Sequence, residues 1–518
     1  MLALVSGCAS LPPGSDFPKT VSTALVSPED TRLGRQFKSA AHKHNGQSGF
    51  RVLSVGVDGF LTRMQMINTA TRTLDLQYFI FRGDETGRLL TDAVLHAADR
   101  GVRVRILIDD GETLSGDDQV TALAAHPRVE IRIFNPFAYR GGAQFFRGLE
   151  FMFNAARLDY RMHNKLLIMD NAIALIGGRN IGDEYFQIDP ESQFADDDVF
   201  AAGPIVQQLS TSFDLYWNNN LSIPAKALAH EKSPRHALSE HRQDLAEHKQ
   251  LVKAEGTDYM QRVASGEPLN GMLSGRLPLV WANAQLIYDN PDKKNAKNNA
   301  MVGGLMHQAV AAAMVAVQSE LLMVTPYLIP GDEGMQLFKE LRERKVHVRI
   351  LTNSLESSTV SLAQSGYMHY RVPLLQSGVQ LYEIRSQLGN TKGSGQTAVI
   401  SSFGNYSLHA KLFVFDRQRV FIGSMNFDQR SMHLNTEIGV IIDSPALARQ
   451  VAARFEAMVL PANAYMLALR PKQDGSPGLV WRTTEDDVAV EYDVEPARSN
   501  WQRFKVNILS LLPLDKEL

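Results

Sequence analysis

The chain has 518 residues, 44% of them apolar and 21% charged, with a formal net charge of -3. That length suits about two to four domains with large cores, and the near-neutral charge argues against a broadly basic nucleic-acid binder, so any phosphate site must be built locally. Cys8 is the only cysteine, which removes intramolecular disulfides and Cys-based zinc sites.

From the N-terminus, residues 1–50 read as a leader and tether. Val5-Ser6-Gly7-Cys8 resembles a bacterial lipobox, in which the Cys is lipidated and becomes the new N-terminus. The apolar run before it is short and lacks a basic start, which a start codon assigned too far downstream would explain. The alternative is a disordered tail with an incidental Cys. Residues 9–30 carry several Ser and Pro and read as a tether. Periodicity then predicts a helix over 61–71, a strand over 74–80, a helix over 87–100 ended near Gly101, and a strand over 102–109. Strand, helix, strand predicts a parallel sheet with crossover helices. Residues 134–153 are rich in Phe, with Tyr139, Arg140 and Arg147 alongside, which fits either a lipid-facing rim or a helix docked on the core.

Residues 222–276 mix both charge signs, with Pro224, Pro234 and Pro268 as punctuation. An exposed helix is expected over 237–263, with His230, His236, His241 and His248 at the surface and no chemistry assigned. The earlier order then repeats: strand 321–328, helix 334–345, strand 346–353. Residues 346–353 match 102–109 at an offset of 346 − 102 = 244. The Gly- and Ser-rich residues 389–405 predict a mobile loop at a site mouth. Trp501, Phe504, Ile508, Leu511 and Leu512 recur at helical spacing, beside Arg498, Arg503 and Lys505. Such a stripe is either core packing or an interfacial membrane helix. No run approaches the roughly 20 apolar residues of a membrane-spanning helix.

One stretch occurs twice, MHNKLLIMDNAIALIGGRN at 162–180 and LHAKLFVFDRQRVFIGSMN at 408–426. Both fit one template, carried by His163, Lys165, Asp170, Gly177, Gly178 and Asn180 in the first copy and by His409, Lys411, Asp416, Gly423, Ser424 and Asn426 in the second. The offset, 409 − 163 = 246, differs by only two from that of the strands. An internal duplication of an α/β unit accounts for both, and predicts two similar halves facing each other about a pseudo-twofold. In each copy the apolar run after the Lys predicts a strand buried on both faces, followed by a turn at the Asp and a return strand. His and Lys two apart on a strand would share one face.

The residue types suit a phosphodiester, which is anionic and a poor electrophile. Lys165 and Lys411 supply fixed positive charge, Asn180 and Asn426 neutral donors, and Gly177 and Gly423 room for close backbone approach. One imidazole can attack phosphorus while the other protonates the leaving oxygen. Asp170 and Asp416 fit either a direct role or the holding of turn geometry. Neither a His-x-x-x-His helix nor a Cys pair accompanies the histidines, so no metal or other cofactor is expected.

The doubled HxKxxxxD motif with its trailing GGxN or GSxN resembles the phospholipase D superfamily. The segments TLDLQYFIF (73–81), GVRVRILIDD (101–110), FNPF (134–137), RMHNK (161–165), GGRNIGDEYF (177–186), LTNSL (351–355), LHAK (408–411), IGSMNFDQRS (422–431) and NTEIG (435–439) resemble its bacterial cardiolipin synthase C branch. The resemblance covers nearly all of the chain beyond about Arg51. It implies an α/β fold of two phospholipase D-like halves about a pseudo-twofold, with the active site at their interface. It also implies metal-independent phosphatidyl transfer through a phosphohistidine, with His163 as nucleophile and His409 as acid and then base. The residues by themselves leave those two roles open. In the family an acidic residue downstream of each motif orients a His; Glu437 fits in the second half and Asp198 in the first, with Asp196 and Asp197 keeping that choice open. Gly178 stands where the second copy has Ser424, so any hydroxyl contact to phosphate would be one-sided.

The domain division expected is 1–50 leader and tether, 51–221 first half, 222–276 charged helical linker, 277–470 second half, and 471–518 an extension with an amphipathic helix. The function expected is cardiolipin synthesis from phosphatidylglycerol, with phosphatidylglycerol or phosphatidylethanolamine as co-substrate. A phospholipase D-type hydrolase and a non-catalytic envelope lipoprotein are the alternatives. Partners would be phospholipids and a membrane surface, reached through lipidated Cys8 and the C-terminal helix, with no nucleic acid. The location would be the bacterial cell envelope, inner or outer membrane left open.

Overall fold

Among the described residues the first half forms nine strands: β1 (Ser48–Leu53), β2 (Thr73–Tyr78), β3 (Arg103–Asp109), β4 (Val129–Phe134), β5 (Leu166–Met169), β6 (Ile173–Gly177), β7 (Ser192–Ala195), β8 (Asp198–Ala202) and β9 (Ser222–Pro224). The second half adds β10 (Val280–Tyr288), β11 (Glu320–Val324), β12 (His347–Asn353), β13 (Gln380–Ile384), β14 (Asn405–Leu408), β15 (Leu412–Phe415), β16 (Arg419–Gly423) and β17 (Ile438–Asp443), then β18 (Ala464–Pro471), β19 (Pro477–Glu485) and β20 (Val488–Tyr492). This computed structural model describes residues 11, 15–111, 117–140, 144–189, 191–228, 234–254, 266–294, 305–389 and 405–511. Cys8, His230, Leu512 and nearly all of the expected loop at 389–405 lie outside the described residues.

The first half's strands lie in the order β9-β4-β3-β2-β5-β6-β8-β1, and the second's in the order β13-β12-β11-β15-β16-β17-β10, with β18, β19 and β20 continuing beyond β13. The two orders match strand for strand, and so do their registers: Leu166 faces Ile176 as Leu412 faces Ile422. β1 pairs antiparallel with β10, which joins both halves into one sheet across the pseudo-twofold. The sheet is mixed, where the strand-helix-strand reading predicts a parallel one. β2, β3 and β4 are parallel, but the motif strand β5 runs antiparallel to β2. A hairpin turn after the motif Asp returns the chain at once and leaves no length for a crossover helix.

Helices cover the strands because their apolar faces match the sheet. The helix Glu85–Asp99 starts where Asp84 Oδ1 accepts from Gly87 N at 3.1 Å and ends before Gly101, whose φ of +94° suits glycine. The helix predicted at 61–71 runs Gly56–Thr69. Its early start follows from tertiary packing, since Gly56 N donates to Gln187 Oε1 at 2.8 Å. One apolar core spans the junction of the halves, with Phe50, Ile176, Ala282 and Ile422 all buried. Burying each large side chain there contributes roughly 1.5–3 kcal/mol.

Four segments are placed differently from expectation. Ser222–Pro224 is a strand of the first half, paired with β4, because the alternating Ile223 completes that core. The charged helix runs Pro234–Ala254 and docks on the first half, with Leu245 and Val252 buried and Arg242 paired to Asp99. The tether's later part lies along the first half: Arg132 donates to Thr20 O, Arg105 to Ser22 O, and Ala24 N to Asp214 Oδ2. At the other end, β18 crosses the expected boundary at 470 and pairs with β13, so the extension begins as sheet.

Candidate active site

His163 and Lys165 precede β5, on an extended lead-in rather than on the strand itself. Across the pseudo-twofold, His409 and Lys411 precede β15 in the same way. Each lead-in is held by both halves. Thr436 N donates to Arg161 O and His163 N to Thr436 O, at 2.9 Å each, while His409 N donates to Ala195 O at 2.8 Å. β7 and β14 extend the second of these contacts as a parallel pair. Behind them, Met162 N donates to Asp109 Oδ2 and Leu408 N to Asn353 Oδ1, both at 2.8 Å. Asp109 and Asn353 are the last residues of β3 and β12. The same strand ends therefore aim both histidines.

Each imidazole binds a carboxylate of the opposite half. His163 Nδ1 lies 2.9 Å from Glu437 Oε2, and His409 Nδ1 lies 2.6 Å from Asp196 Oδ2. Lys411 Nζ lies 3.0 Å from that same Nδ1; one ring nitrogen cannot serve both, and the closer carboxylate takes its proton. Reactivity is thus directed to Nε2 in both rings. Phe79 packs edge-on to His163, with ring centroids 5.1 Å apart, and Phe194 stacks on His409 at 5.3 Å. These aromatic walls, like Asp109 and Asn353, were not singled out from sequence. Phe79, Asp109 and Asn353 fall inside the segments 73–81, 101–110 and 351–355 that carry the family resemblance, which is the signal that could have flagged them.

Burial, then the positive charges of Lys165 and Lys411, holds His163 well below the ordinary imidazole range. Burial and then Lys411 bring His409 down to about 3, despite Asp196. In the empty site burial thus favours the neutral ring that a nucleophile requires at His163, and an acid at His409 needs the added negative charge of a bound phosphate beside Asp196 to become an imidazolium. Burial likewise lowers Lys411 to about 8 and Lys165 in the same direction. A phosphodiester entering between them would restore the charge that burial disfavours. Burial raises Glu437 to about 7, and Ser424 opposes that by donating from Oγ to Glu437 Oε2 at 2.5 Å. Burial raises Asp196 too, but the His409 contact and Lys411 outweigh it and keep its carboxyl low.

Asp198, the first choice for this role in the first half, is placed elsewhere. Its carboxylate accepts from Arg63 Nη1 at 2.7 Å and Nη2 at 3.1 Å and from Arg179 Nη1 at 3.1 Å, all buried. Asp198 opens β8, so its side chain is committed to the sheet's own face, whereas Asp196 stands just ahead of the strand and reaches the facing half.

Asp170 and Asp416 also leave the catalytic group. They sit at the far ends of β5 and β15, each starting a turn with φ of +55° and +53°. Asp170 accepts from Arg72 N and Thr73 N at 2.7 and 2.9 Å, and Asp416 from Ser319 N and Glu320 N at 2.7 and 3.0 Å. They hold the starts of β2 and β11. Gly177 and Gly423 serve sheet packing rather than phosphate, since an added Cβ would meet Asp197 O at 2.4 Å and Ile438 O at 2.6 Å. Gly178 has a Cβ position 2.2 Å from Asp196 Oδ1, so a Ser there would have to push the Asp196 carboxylate from its place. Asn180 is engaged in place, accepting from Ile80 N at 3.1 Å and donating to Tyr185 Oη at 2.9 Å. Asn426 keeps a buried carboxamide oxygen without a hydrogen-bond partner among the described residues. Among those residues no group of His, Cys, Asp and Glu is arranged to hold a metal ion, and no helix is long and apolar enough to cross a membrane.

Comparison with known proteins gives the same duplication. The family model described as cardiolipin synthase, PLD-like domain matches twice, at residues 64–217 and 310–459. Cardiolipin synthase C of Escherichia coli (strain K12) is 34% identical over 489 residues, 93% of this chain and 99% of that protein. A probable cardiolipin synthase of Bacillus subtilis (strain 168) is 25% identical over 80% of this chain and 67% of its own length. Among solved structures, the phosphatidylserine synthase of Haemophilus influenzae Rd KW20 shares the fold, with a TM-score of 0.53, 13% identity, and coverage of 83% of this chain and 92% of that one.

Proposed function

This chain belongs to the phospholipase D-like cardiolipin synthase family, and on that premise we propose that it is a phosphatidyltransferase that makes cardiolipin from phosphatidylglycerol. The observation that carries the reading is the reciprocal pairing of each motif His with an acid of the other half, His163 with Glu437 and His409 with Asp196.

In this reaction His163 Nε2 attacks phosphorus of the donor lipid, and the P–O bond to the head-group alcohol breaks. His409, held as the imidazolium by ionised Asp196 once the anionic phosphodiester is bound, gives its Nε2 proton to that leaving oxygen and becomes neutral, releasing glycerol from phosphatidylglycerol or ethanolamine from phosphatidylethanolamine. A hydroxyl of a second phosphatidylglycerol then attacks the phosphohistidine. His409 takes the hydroxyl proton, the P–N bond breaks, and cardiolipin leaves. The assignment of roles rests on the two acids. Asp196, held ionised 2.6 Å from His409, supports an imidazolium there, whereas Glu437 shares its charge with Ser424. Lys165 and Lys411 neutralise the phosphate oxygens.

The test is incubation of purified protein with phosphatidylglycerol, with and without phosphatidylethanolamine, resolving cardiolipin, phosphatidic acid and free head groups. Cardiolipin with stoichiometric glycerol or ethanolamine is expected, and none in His163→Ala or His409→Ala. Phosphatidic acid alone would assign a hydrolase instead. We place the enzyme on the cell-envelope membrane, with Cys8 as its lipid anchor.

A further inference from the structure

Two helices expose apolar stripes that nothing among the described residues covers. In the helix Gln144–Leu158, Phe145, Met152 and Phe153 are 70%, 67% and 82% exposed, and Phe146 is exposed as well. In the helix Asn500–Leu509 and the residues after it, Trp501, Phe504, Ile508 and Leu511 are exposed at helical spacing. Core packing would have buried these side chains.

The two helices come from unrelated parts of the sequence but are anchored at equivalent places. Arg147 reaches Asp110 Oδ1 at 3.4 Å and also its carbonyl oxygen, in the segment directly after β3. Gln502 Nε2 donates to Leu355 O at 2.7 Å, and Arg498 donates to Glu356 O, in the segment directly after β12. Those are the strand ends whose Asp109 and Asn353 fix the lead-ins to His163 and His409. Each stripe is therefore carried on a helix anchored beside the strand end that aims one of the two catalytic histidines.

Charge selects the occupant. Residues 498–511 contain no Asp or Glu, and Arg498 and Lys505 are exposed. The single acid in the first helix, Glu150, is engaged by Ala138 N at 2.7 Å, Tyr139 N at 2.8 Å and Arg157. Neither stripe carries an uncommitted carboxylate among the described residues, and Arg498 and Lys505 add exposed positive charge beside the second, which suits an anionic lipid surface.

We propose that these two helices are a paired membrane-docking surface that seats the shared catalytic cleft on an anionic phospholipid bilayer. The inference rests on the phosphatidyltransferase reading, and its test separates the two. The full chain carrying Cys8→Ser, which removes any lipid anchor, is sedimented with vesicles of phosphatidylglycerol and phosphatidylcholine, and in parallel assayed on short-chain phosphatidylglycerol below its micelle concentration. The pairs Phe145→Ser with Phe153→Ser, and Trp501→Ser with Phe504→Ser, should each lower vesicle partitioning at least about tenfold, because binding scales with apolar area inserted. Turnover of the monomeric lipid should stay within about twofold of the parent in both.

Quenching of Trp501 by brominated lipid, read as the difference from Trp501→Phe, gives a second measurement that needs no folded double variant. Unchanged partitioning of either double variant, or an unquenched Trp501, overturns the proposal. So does loss of a homodimer with vesicle binding intact, which would make a second copy the occupant. A parent chain that binds vesicles through these residues but turns over no lipid would sink the transferase reading and leave the docking surface standing.

Discussion

Asp196 and Asp198 are two residues apart, and their replacement by Asn should fail in opposite ways. Asp196 Oδ2 lies 2.6 Å from His409 Nδ1 and fixes the ring so that Nε2 faces the reaction. An amide there can donate to Nδ1 instead and reverse the tautomer. In a comparable acid–imidazole pair that reversal costs on the order of 10⁴-fold in turnover, or about 5 kcal/mol of barrier. Asp198 makes no hydrogen bond to either histidine or lysine of the motifs but neutralises buried Arg63 and Arg179. Removing its charge leaves two buried guanidinium groups facing a neutral amide, a loss of about 3–5 kcal/mol of stability. The assay is cardiolipin formation at a temperature well below the unfolding midpoint of the weaker variant, with denaturant unfolding in parallel. Asp196→Asn should be folded and almost inactive, and Asp198→Asn destabilised but active while folded. An inactive, fully stable Asp198→Asn beside an Asp196→Asn that keeps turnover within tenfold would refute the cross-half pairing.

Ser424→Ala should move the acid side of the pH profile. Glu437 must be ionised to orient His163, and its carboxyl is already raised to about 7 by burial, so turnover falls as pH drops through that region. Ser424 stabilises the ionised form through its 2.5 Å hydrogen bond, and losing about 1.5 kcal/mol of such a bond raises the midpoint by about one unit. A profile that stays put or shifts to lower pH would count against Glu437 as the orienting acid. Because Lys165 and Lys411 supply the phosphate-neutralising charge, exhaustive EDTA treatment should leave activity intact, and a loss reversed by zinc or magnesium would overturn the metal-free reading. Expressed behind a complete lipoprotein signal peptide, the protein should stay on membranes through high-salt washing, since a single acyl chain holds only marginally and two or more hold stably. Cys8→Ser should release a large part of it to the weaker hold of the helices, and equal retention would remove the lipobox argument.

The duplication was legible in the sequence because a folded repeat keeps its spacing: 246 separates His163 from His409, and the same 246 separates Leu166 from Leu412 and Ile176 from Ile422 in the sheet. Apolar alternation marked β2 and β3, and the motif chemistry marked His163, Lys165, His409 and Lys411 as a set. What the sequence could not decide was which acid each imidazole meets. The run Asp196-Asp197-Asp198 offers three similar side chains, and the choice depends on where β8 begins and on β7 pairing with β14 of the other half. Glu437 and His163 are likewise 274 residues apart and meet only because Thr436 pairs with Met162. A motif also records a residue's spacing but not its end of the strand. Asp170 and Asp416 are fixed in both copies because each collects backbone N–H groups at the start of a neighbouring strand, a task set by the antiparallel hairpin and away from the chemistry. The choice between buried and exposed for the Phe145 and Trp501 stripes was open for a similar reason. Periodicity shows that a helix has an apolar face, and only the packing of the other elements shows whether anything in the chain is left to cover it.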